Sequence, residues 1–369
     1  MNINIQKETL ELPLSQIIGV VEKRQTLPIL GNVYLELNEN RLTLVGSDLE
    51  TEITTLVNNI SGSDGKTTVS ARKLFDICRA LPSESQLSLL VEEDNKMVVK
   101  AGKSRFTLQT LSAVDYPRLE ETVWKQEFFL SQQQLHNLLT RTSFSMAQQD
   151  VRYFLNGLLI EIRDNEILSV ATDGHRLAKT SVAVDDLGVN QFVQSIVPRK
   201  AVIEIAKFLD AGSKDKVTVK LNASHIMVHS GEFMFISKLI DGRFPDYEKV
   251  IPANLDKHII IDRLNLIEIL SRAAILSNEK FRGVSLNISN KVLKVSSHNP
   301  DQEYASDEMG IEYEGEDIEI GFNVNYLLEA LKACDSEQID LGLLDPNTSC
   351  TFHSAGDSDT LYLIMPMRL

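Results

Sequence analysis

One pattern of apolar residues occurs three times along the 369-residue chain, and this repetition limits the possible fold more than any other feature. A helical phrase, apolar at i, i+3, i+4 and i+7, begins at Leu14, Leu135 and Leu266. Alternating apolar residues around a polar turn follow each phrase, at 33–48, 158–173 and 284–299. A second helical phrase begins at Leu74, Val202 and Leu327. Each copy is about 125 residues long, the size of one domain.

Two helices separated by runs of strands predict α+β domains in which helices pack on one face of an antiparallel sheet. In the first copy the leading helix is expected to bury Leu14, Ile17, Ile18 and Val21. We predict three repeated domains, at residues 1–126, 127–253 and 254–369.

Composition narrows the function. A net charge of -15 and a pI near 5.0 exclude an evenly basic nucleic-acid-binding surface and disfavour anionic membranes. The three cysteines are far apart, without metal-ligand spacing, and GSDGK at 62–66 does not fit a phosphate loop. No metal or cofactor is therefore expected. The N-terminus resembles no secretion signal and no apolar run is membrane-length, so we expect a cytoplasmic protein.

Positive charge is concentrated on the helices. The outer face of the second helix of each copy carries basic residues at five of six equivalent positions: Arg72, Arg79, Lys200, Lys207 and Lys332, with Asn325 the exception. The six helical windows (7–24, 71–81, 131–147, 198–209, 262–273 and 323–335) together carry +4, which leaves -19 on the rest of a chain of net charge -15. Helices that lined one common surface would attract phosphate there.

Helix dimensions decide whether such a surface could surround DNA. Six helices packed about 10 Å apart form a circle only about 19 Å across at their axes, which leaves almost no opening. Twelve helices from two chains form a circle about 38 Å across, with a hole of about 28 Å. A duplex passes through that hole, so the sequence favours a ring of two chains.

Complementary charges suggest how two chains would join. The segment 96–105 includes Lys103 and Arg105 and has no acid, whereas residues 301–319 hold nine acids, including Asp301 and Glu303. These patches predict a head-to-tail contact. We expect its apolar centre to pair Phe106 and Leu108 with Ile275 and Leu276.

The segment ATDGHRLA, 171–178, raises the alternative of a hydrolase that uses Asp173 and His175. The repeats place Ser47-Asp48 and His298-Asn299 where the second copy has Thr172-Asp173, which indicates a turn at the end of a strand. Asp173 is therefore predicted to shape a turn. A protein-binding scaffold without DNA affinity is a further alternative.

Over nearly its whole length the chain resembles the bacterial DNA polymerase III beta-subunit family, the replicative sliding clamps. The matching motifs include TLPILGN (26–32), ARKLFDICRALP (71–82), FSMAQQDVRYFLNG (144–157), SKLIDGRFPDY (237–247), AAILSNEKFRGV (273–284) and the terminal MPMRL. The resemblance implies a non-catalytic, head-to-tail homodimeric ring of six similar domains around double-stranded DNA of any sequence. The implied protein partners are an ATP-driven clamp loader, the replicative polymerase, and other polymerases or repair proteins that carry short clamp-binding peptides.

The resemblance also implies two sets of site residues. DNA contacts are expected at Arg24, Arg72, Gln149, Tyr153, Phe154, Arg199 and Lys200, and the outer-face pattern adds Arg79 and Lys207. A groove for partner peptides is expected from Arg152, Leu155, Thr172, Gly174, His175, Arg176, Leu177, Pro245, Val250, Leu363, Met365, Pro366 and Met367. The methionines would adapt the groove to several partners.

Overall fold

The computed structural model describes residues 1–21, 27–92, 94–119, 122–184, 187 and 192–368. In these residues each copy of the sequence pattern follows one order of elements: a strand, a helix, four strands, a second helix and three strands. The first copy has one additional short strand. The predicted pairs of helices and the three predicted hairpins are confirmed.

The first copy consists of β1 (Asn2–Gln6), α1 (Lys7–Ile17), β2 (Asn32–Asn38), β3 (Arg41–Ser47), β4 (Thr51–Val57), β5 (Ser61–Ser63), β6 (Gly65–Ser70), α2 (Ala71–Ala80), β7 (Gln86–Glu92), β8 (Lys96–Ala101) and β9 (Ser104–Leu111). The second consists of β10 (Gln126–Ser131), α3 (Gln132–Ser143), β11 (Gly157–Arg163), β12 (Glu166–Thr172), β13 (Arg176–Ala183), β14 (Val193–Pro198), α4 (Arg199–Phe208), β15 (Lys216–Leu221), β16 (His225–Ser230) and β17 (Phe233–Lys238). The third consists of β18 (Lys257–Asp262), α5 (Arg263–Ala274), β19 (Gly283–Ser289), β20 (Val292–His298), β21 (Tyr304–Gly310), β22 (Ile318–Asn323), α6 (Val324–Ala333), β23 (Gln338–Leu343), β24 (Cys350–Ser354) and β25 (Thr360–Ile364).

The chain forms two compact units: residues 1–133 with 203–239, and residues 134–202 with 240–369. Every strand pair in the described part of the chain is antiparallel. Within the described residues, the first unit holds one 13-stranded sheet, in the order β10-β15-β16-β17-β4-β3-β2-β6-β9-β8-β7-β1-β5. The second unit holds an eight-stranded sheet, β14-β11-β12-β13-β25-β24-β23-β18, and a four-stranded sheet, β21-β20-β19-β22.

Strand pairing continues from one copy of the pattern into the next. In the first unit, β17 of the second copy pairs with β4 of the first, with Phe233 opposite Thr55. In the second unit, β25 of the third copy pairs with β13 of the second, with Thr360 opposite Thr180. Each junction therefore joins two copies through one continuous sheet.

The helices bury their apolar stripes, but the first helix ends earlier than predicted. α1 ends at Ile17 and buries Leu10, Pro13, Leu14 and Ile17, whereas Ile18 and Val21 lie beyond the helix. Of the predicted stripe, Leu14, Ile17 and Val21 are buried and Ile18 is half-buried, so burial of these residues is largely confirmed although Val21 is not helical. The other stripes are placed as predicted, for example Leu74 and Cys78 on α2.

All three cysteines, Cys78, Cys334 and Cys350, are unpaired and buried. Among the residues described above, no helix combines the length and the apolar character needed to cross a membrane.

Candidate peptide-binding groove and DNA-contacting residues

The segment between β12 and β13 is a tight turn held by Asp173. Its Oδ1 accepts hydrogen bonds from the backbone N–H groups of His175 (2.9 Å) and Arg176 (3.1 Å). Thr172 Oγ1 accepts from the Gly174 N–H at 3.1 Å and donates to the Arg176 carbonyl at 2.6 Å. The predicted turn role of Asp173 is confirmed, because its carboxylate is occupied in closing this loop.

Gly174 has the backbone conformation and the space that this turn requires. Its φ is +90°, which side chains other than glycine rarely adopt, and an added Cβ would lie 3.0 Å from Arg152 Nη1. Arg152 lies against the turn by donating to the Asp173 carbonyl at 3.1 Å. Hydrogen bonds from Arg152 lower the pKa of Asp150 to about 2, so this carboxylate stays charged beside the turn.

Arg176 supports the turn from beneath. The side chain is buried and forms ion pairs with Asp173 and Glu329. It also donates to the Phe144 carbonyl at 2.8 Å and lies 4.4 Å above the ring of Tyr326. A buried guanidinium needs such partners, so Arg176 fixes the shape of the site while its own hydrogen-bonding capacity is used inside the protein.

Apolar side chains from several elements meet beside this turn. Leu177 on β13 and Leu363 on β25 are buried in one cluster with Phe244 and Tyr247, and Met365 packs against that cluster. The two strands are adjacent, with Leu177 opposite Leu363.

Several other residues predicted for the groove have accessible surface. Met365, Pro366 and Met367 are half-buried, whereas Pro245 and Val250 are exposed. Met365 is held by its N–H, which donates to the His175 carbonyl at 2.9 Å. Leu155, also predicted for the groove, is buried at the end of the short 3-10 turn Tyr153–Leu155. The cluster of Leu177, Leu363 and Met365 thus places an apolar surface next to the Asp173 turn. Met367 donates its N–H to the Gly321 carbonyl at 2.8 Å and lines a cavity of about 340 Å³ with Phe281 and His298.

A buried polar network holds the 244–250 wall of the groove. Tyr247 donates through its hydroxyl to Glu161 at 3.2 Å and accepts from Arg163 Nη2 at 3.0 Å. Glu161 is fully buried, forms an ion pair with Arg163, and accepts from Gln194 at 2.6 Å. The sequence analysis missed these residues, although a glutamate inside the apolar strand LLIEIR is a signal for a buried network.

His175 has the environment of a binding residue. Its ring is exposed and lies parallel to Tyr326, with the ring centres 6.5 Å apart. In the described part of the chain, no group of three His, Cys, Asp or Glu residues is arranged to hold a metal ion.

The predicted DNA-contacting residues are distributed over both units. In the first unit, Arg79 and Lys207 are exposed, and Arg72 is half-buried on α2. Lys207 bonds Glu204 at 2.7 Å, so part of its charge is neutralised within the protein. Arg24 lies outside the described residues.

In the second unit, Gln149 and Tyr153 are exposed near the groove, and Gln149 adopts a φ of +56°. Tyr153 forms an edge-to-face contact with Phe154, with ring centres 5.8 Å apart. Arg199 and Lys200 are half-buried in the first turn of α4, and Arg199 Nη1 donates to the Met146 carbonyl at 3.2 Å.

The residues predicted for the subunit interface also have accessible surface. Lys103 and Arg105 are exposed, and Phe106 and Leu108 on β9 are half-buried. In the second unit, Ile275 is 76% exposed, Leu276 is half-buried, and Asp301 and Glu303 are exposed.

Comparison with known proteins identifies the same family in all three copies. Residues 1–120, 129–246 and 248–368 match the N-terminal, central and C-terminal domains of the DNA polymerase III beta subunit. The predicted boundaries at 126 and 253 stay predictions. The chain is 48% identical to the beta sliding clamp of Pseudomonas aeruginosa and 44% identical to that of Escherichia coli K12, over 100% of both chains in each case. A crystal structure of the DnaN sliding clamp from Pseudomonas aeruginosa bound to griselimycin aligns with a TM-score of 0.96 at 48% identity, again over 100% of both chains.

Proposed function

Because the chain belongs to the DNA polymerase III beta-subunit family and consists of three DNA-clamp domains, we propose that it acts as a sliding clamp. Two copies encircle duplex DNA, and the clamp tethers the replicative polymerase and other peptide-bearing partners to it. The role is processivity rather than catalysis, and it belongs in the cytoplasm, where the bacterial chromosome is replicated.

The strand pairing at the domain junctions is the observation that supports a ring. β4 of the first domain and β13 of the second each pair with the last strand of the following domain. In the third domain, β21 holds the equivalent place at the edge of its sheet and pairs only with β20 within the described chain. The first domain has the complementary strand: β9 pairs with β8 through residues 104–109 and with β6 only at Thr110 and Leu111. A second copy supplies the missing pairing for both edges.

The repeated registers predict how these edges meet. Phe235 lies opposite Ile53 at the first junction, and Tyr362 lies opposite Ala178 at the second. Counting from the equivalent hairpins makes Phe106 equivalent to Phe235 and Tyr362, and Ala305 equivalent to Ile53 and Ala178. Phe106 of one copy is therefore expected opposite Ala305 of the other, with Arg105 opposite Ser306.

The charges at these edges fit the same contact. Lys103 and Arg105 are exposed around the start of β9, and Asp301 and Glu303 are exposed just before β21. Opposite charges steer the two edges together, while Ile275 and Phe106 supply apolar area that excludes water. Two identical head-to-tail contacts close a ring of six domains.

The DNA-contacting set suits sliding. Arg72, Arg79, Arg199, Lys200 and Lys207 bring positive charge to the faces of α2 and α4 in a chain of net charge -15. Each neutralised phosphate adds binding energy that salt weakens, so a few cations hold the duplex without fixing the ring at one place. Tyr153 and Phe154 add aromatic faces on which a base can stack.

The groove in the second unit accounts for tethering. Griselimycin binds the sliding clamps of Pseudomonas aeruginosa and Bartonella birtlesii, and the latter shares 34% identity with this chain. We expect griselimycin and short partner peptides to compete for the groove formed around Leu177, Leu363 and Met365.

The decisive experiment is retention on nicked circular plasmid after loading by the clamp loader. A clamp stays on the circle in 0.5 M salt, which weakens phosphate contacts, and is lost when the plasmid is linearised. Equal retention on linear and circular DNA would contradict the ring.

The interface is tested by a cysteine pair. Arg105→Cys combined with Ser306→Cys should form a disulfide-linked dimer on mild oxidation, because the predicted register puts the two positions opposite each other. The matched control combines Arg105→Cys with Glu308→Cys, two residues out of register. Equal cross-linking by both pairs would show that the register is wrong.

A further inference from the structure

The first unit has a cleft that shares no lining residue with the peptide groove of the second unit. It has a volume of about 400 Å³ and is formed by one face of α1, the end of α4, β4 and the β16–β17 hairpin. Leu12, Phe208 and Phe233 supply apolar surface, and Leu12 is 65% exposed. Glu8 and Glu232 line the same cleft, and none of its described lining residues is lysine or arginine.

The internal repeat shows which side chain takes the equivalent position at the junction of the second and third copies. α1 directly follows β1 and α3 directly follows β10, which makes Gln16 equivalent to Arg141. Sheet register agrees, because Thr55 opposite Phe233 corresponds to Thr180 opposite Thr360. Gln16 accepts a hydrogen bond from Thr55 at 3.1 Å, and Arg141 donates to Thr360 at 3.2 Å.

The guanidinium of Arg141 lies beside two carboxylates. Its Nη2 lies 2.5 Å from Asp335 Oδ2, and its Nη1 lies 3.7 Å from Asp357 Oδ2. Asp335 is two residues beyond α6, and Asp357 lies in the hairpin before β25. At that junction, a guanidinium from the protein itself neutralises the acids and fills the space beside them.

The first junction has acids in similar places but no arginine at position 16. Asp210 lies two residues beyond α4, as Asp335 lies beyond α6, but it is not among the residues that line the cleft, and its Oδ1 accepts from the Gly212 N–H at 2.9 Å. Glu232, in the hairpin before β17, does line the cleft, and its Oε1 accepts from Asn58 Nδ2 at 2.9 Å. The carboxylates among the described lining residues of the cleft are therefore Glu8 and Glu232. Gln16 is shorter than arginine and neutral. The cleft therefore retains volume and negative charge where its counterpart holds a guanidinium.

We propose that this cleft binds an arginine side chain flanked by an apolar residue, presented by a partner peptide. The guanidinium would take the place that Arg141 takes at the other junction, with carboxylates as charge-assisted acceptors. The apolar neighbour would cover Leu12 and Phe233. A volume of about 400 Å³ is in the range of small-ligand sites and suits two side chains. None of the residues that line this cleft belongs to the tethering groove.

The test uses the peptide acetyl-Leu-Arg-Leu-amide and its citrulline analogue, which keeps the shape of arginine but lacks its charge. Titration followed by NMR should shift signals of Leu12 and Gln16, and the arginine peptide should bind at least tenfold more tightly than the citrulline peptide. Equal affinity of the two peptides would overturn the proposal without any variant.

Substitutions in α1 provide a second test of the proposal. Gln16→Arg should fill the cleft from within and abolish peptide binding, whereas Ser15→Arg adds the same charge at an exposed neighbour outside the cleft and should leave binding intact. Griselimycin binding and plasmid retention should be unchanged in both variants, which separates this site from the proposed clamp function. Undiminished peptide binding by a folded Gln16→Arg protein would refute the assignment.

Discussion

Tyr247→Phe tests whether the polar network holds the groove wall. The substitution keeps the ring in the apolar cluster and removes only the hydroxyl, which donates to Glu161 at 3.2 Å and accepts from Arg163 at 3.0 Å. Hydrogen bonds to charged groups contribute about 1.5–3 kcal/mol each when the partner is left unsatisfied. Glu161 and Arg163 keep each other and Gln194, so we expect a loss of about 1–2 kcal/mol of unfolding free energy.

That loss should be visible in ligand binding. The segment 244–250 would spend part of its time away from the position that presents Pro245 and Val250, and a ligand must bear the cost of ordering it. If most of the lost stability is a local loss in the segment 244–250, the dissociation constant of griselimycin rises about three- to tenfold. Isothermal titration calorimetry measures this constant, and chemical denaturation measures stability.

Tyr313→Phe is the matched control. Tyr313 donates its hydroxyl to the Glu316 carbonyl at 2.7 Å in the third domain, so the same atom is removed away from the groove. It should lower stability while griselimycin binding stays unchanged. A Tyr247→Phe protein that is destabilised but binds griselimycin as tightly as the parent would refute the role of the network.

Four further outcomes are expected. Substituting Met365 and Met367 together with alanine should weaken griselimycin binding at least fivefold by calorimetry without loss of the dimer, since both side chains are half-buried at the rim. Burial raises the pKa of all three cysteine thiols, so folded protein at pH 8 should leave a thiol-specific chromogenic reagent uncoloured, whereas denatured protein should react at three sites. The Asp150 carboxyl should titrate near pH 2 by NMR and move up toward its ordinary pKa in Arg152→Ala; because its folded pKa is depressed, its contribution to stability is present above the ordinary pKa and is lost as the pH falls through about 2. Calorimetry should give one griselimycin site per chain, and a stoichiometry of two would contradict a groove formed once per chain between β13 and the end of β25.

Periodicity predicted much of the fold because each helix and hairpin is a local pattern. The exception is the end of the first helix: the apolar pattern continues to Val21, which is buried, but the helix itself ends at Ile17. Only packing decides where the helix ends. Equally, no local pattern reveals that β4 pairs with β17, whose partner residues are about 180 positions apart in the chain.

The turn at Asp173 was predictable because Asp and Gly have local conformational reasons to be there. The network of Glu161, Arg163 and Tyr247 was not, since its members meet only when β11 packs beneath a segment 84 residues later. Long-range hydrogen bonds leave only an indirect trace in sequence, here a single acid among apolar strand residues.

Comparison of the repeats explains why the groove is proposed beside Leu177 and not at the equivalent place in the first domain. Leu177 lies opposite Thr172 on the neighbouring strand, and in the first domain Glu52 lies opposite Ser47 in the same relation. Leu177 contributes an apolar floor that a ligand can cover. Glu52 is buried and accepts two hydrogen bonds from Arg118, at 3.0 and 2.9 Å.

A ligand at the first-domain position would have to displace Arg118 and leave Glu52 charged and desolvated, which costs several kcal/mol. Tyr116 closes the same place further, because its hydroxyl accepts from the Ser47 N–H at 3.0 Å where the second domain has Phe244. Phenylalanine contributes apolar surface without a hydroxyl that must be satisfied. An ion pair and a phenol at the first-domain position thus correspond to two apolar side chains at the second-domain position, while both domains keep the same strands.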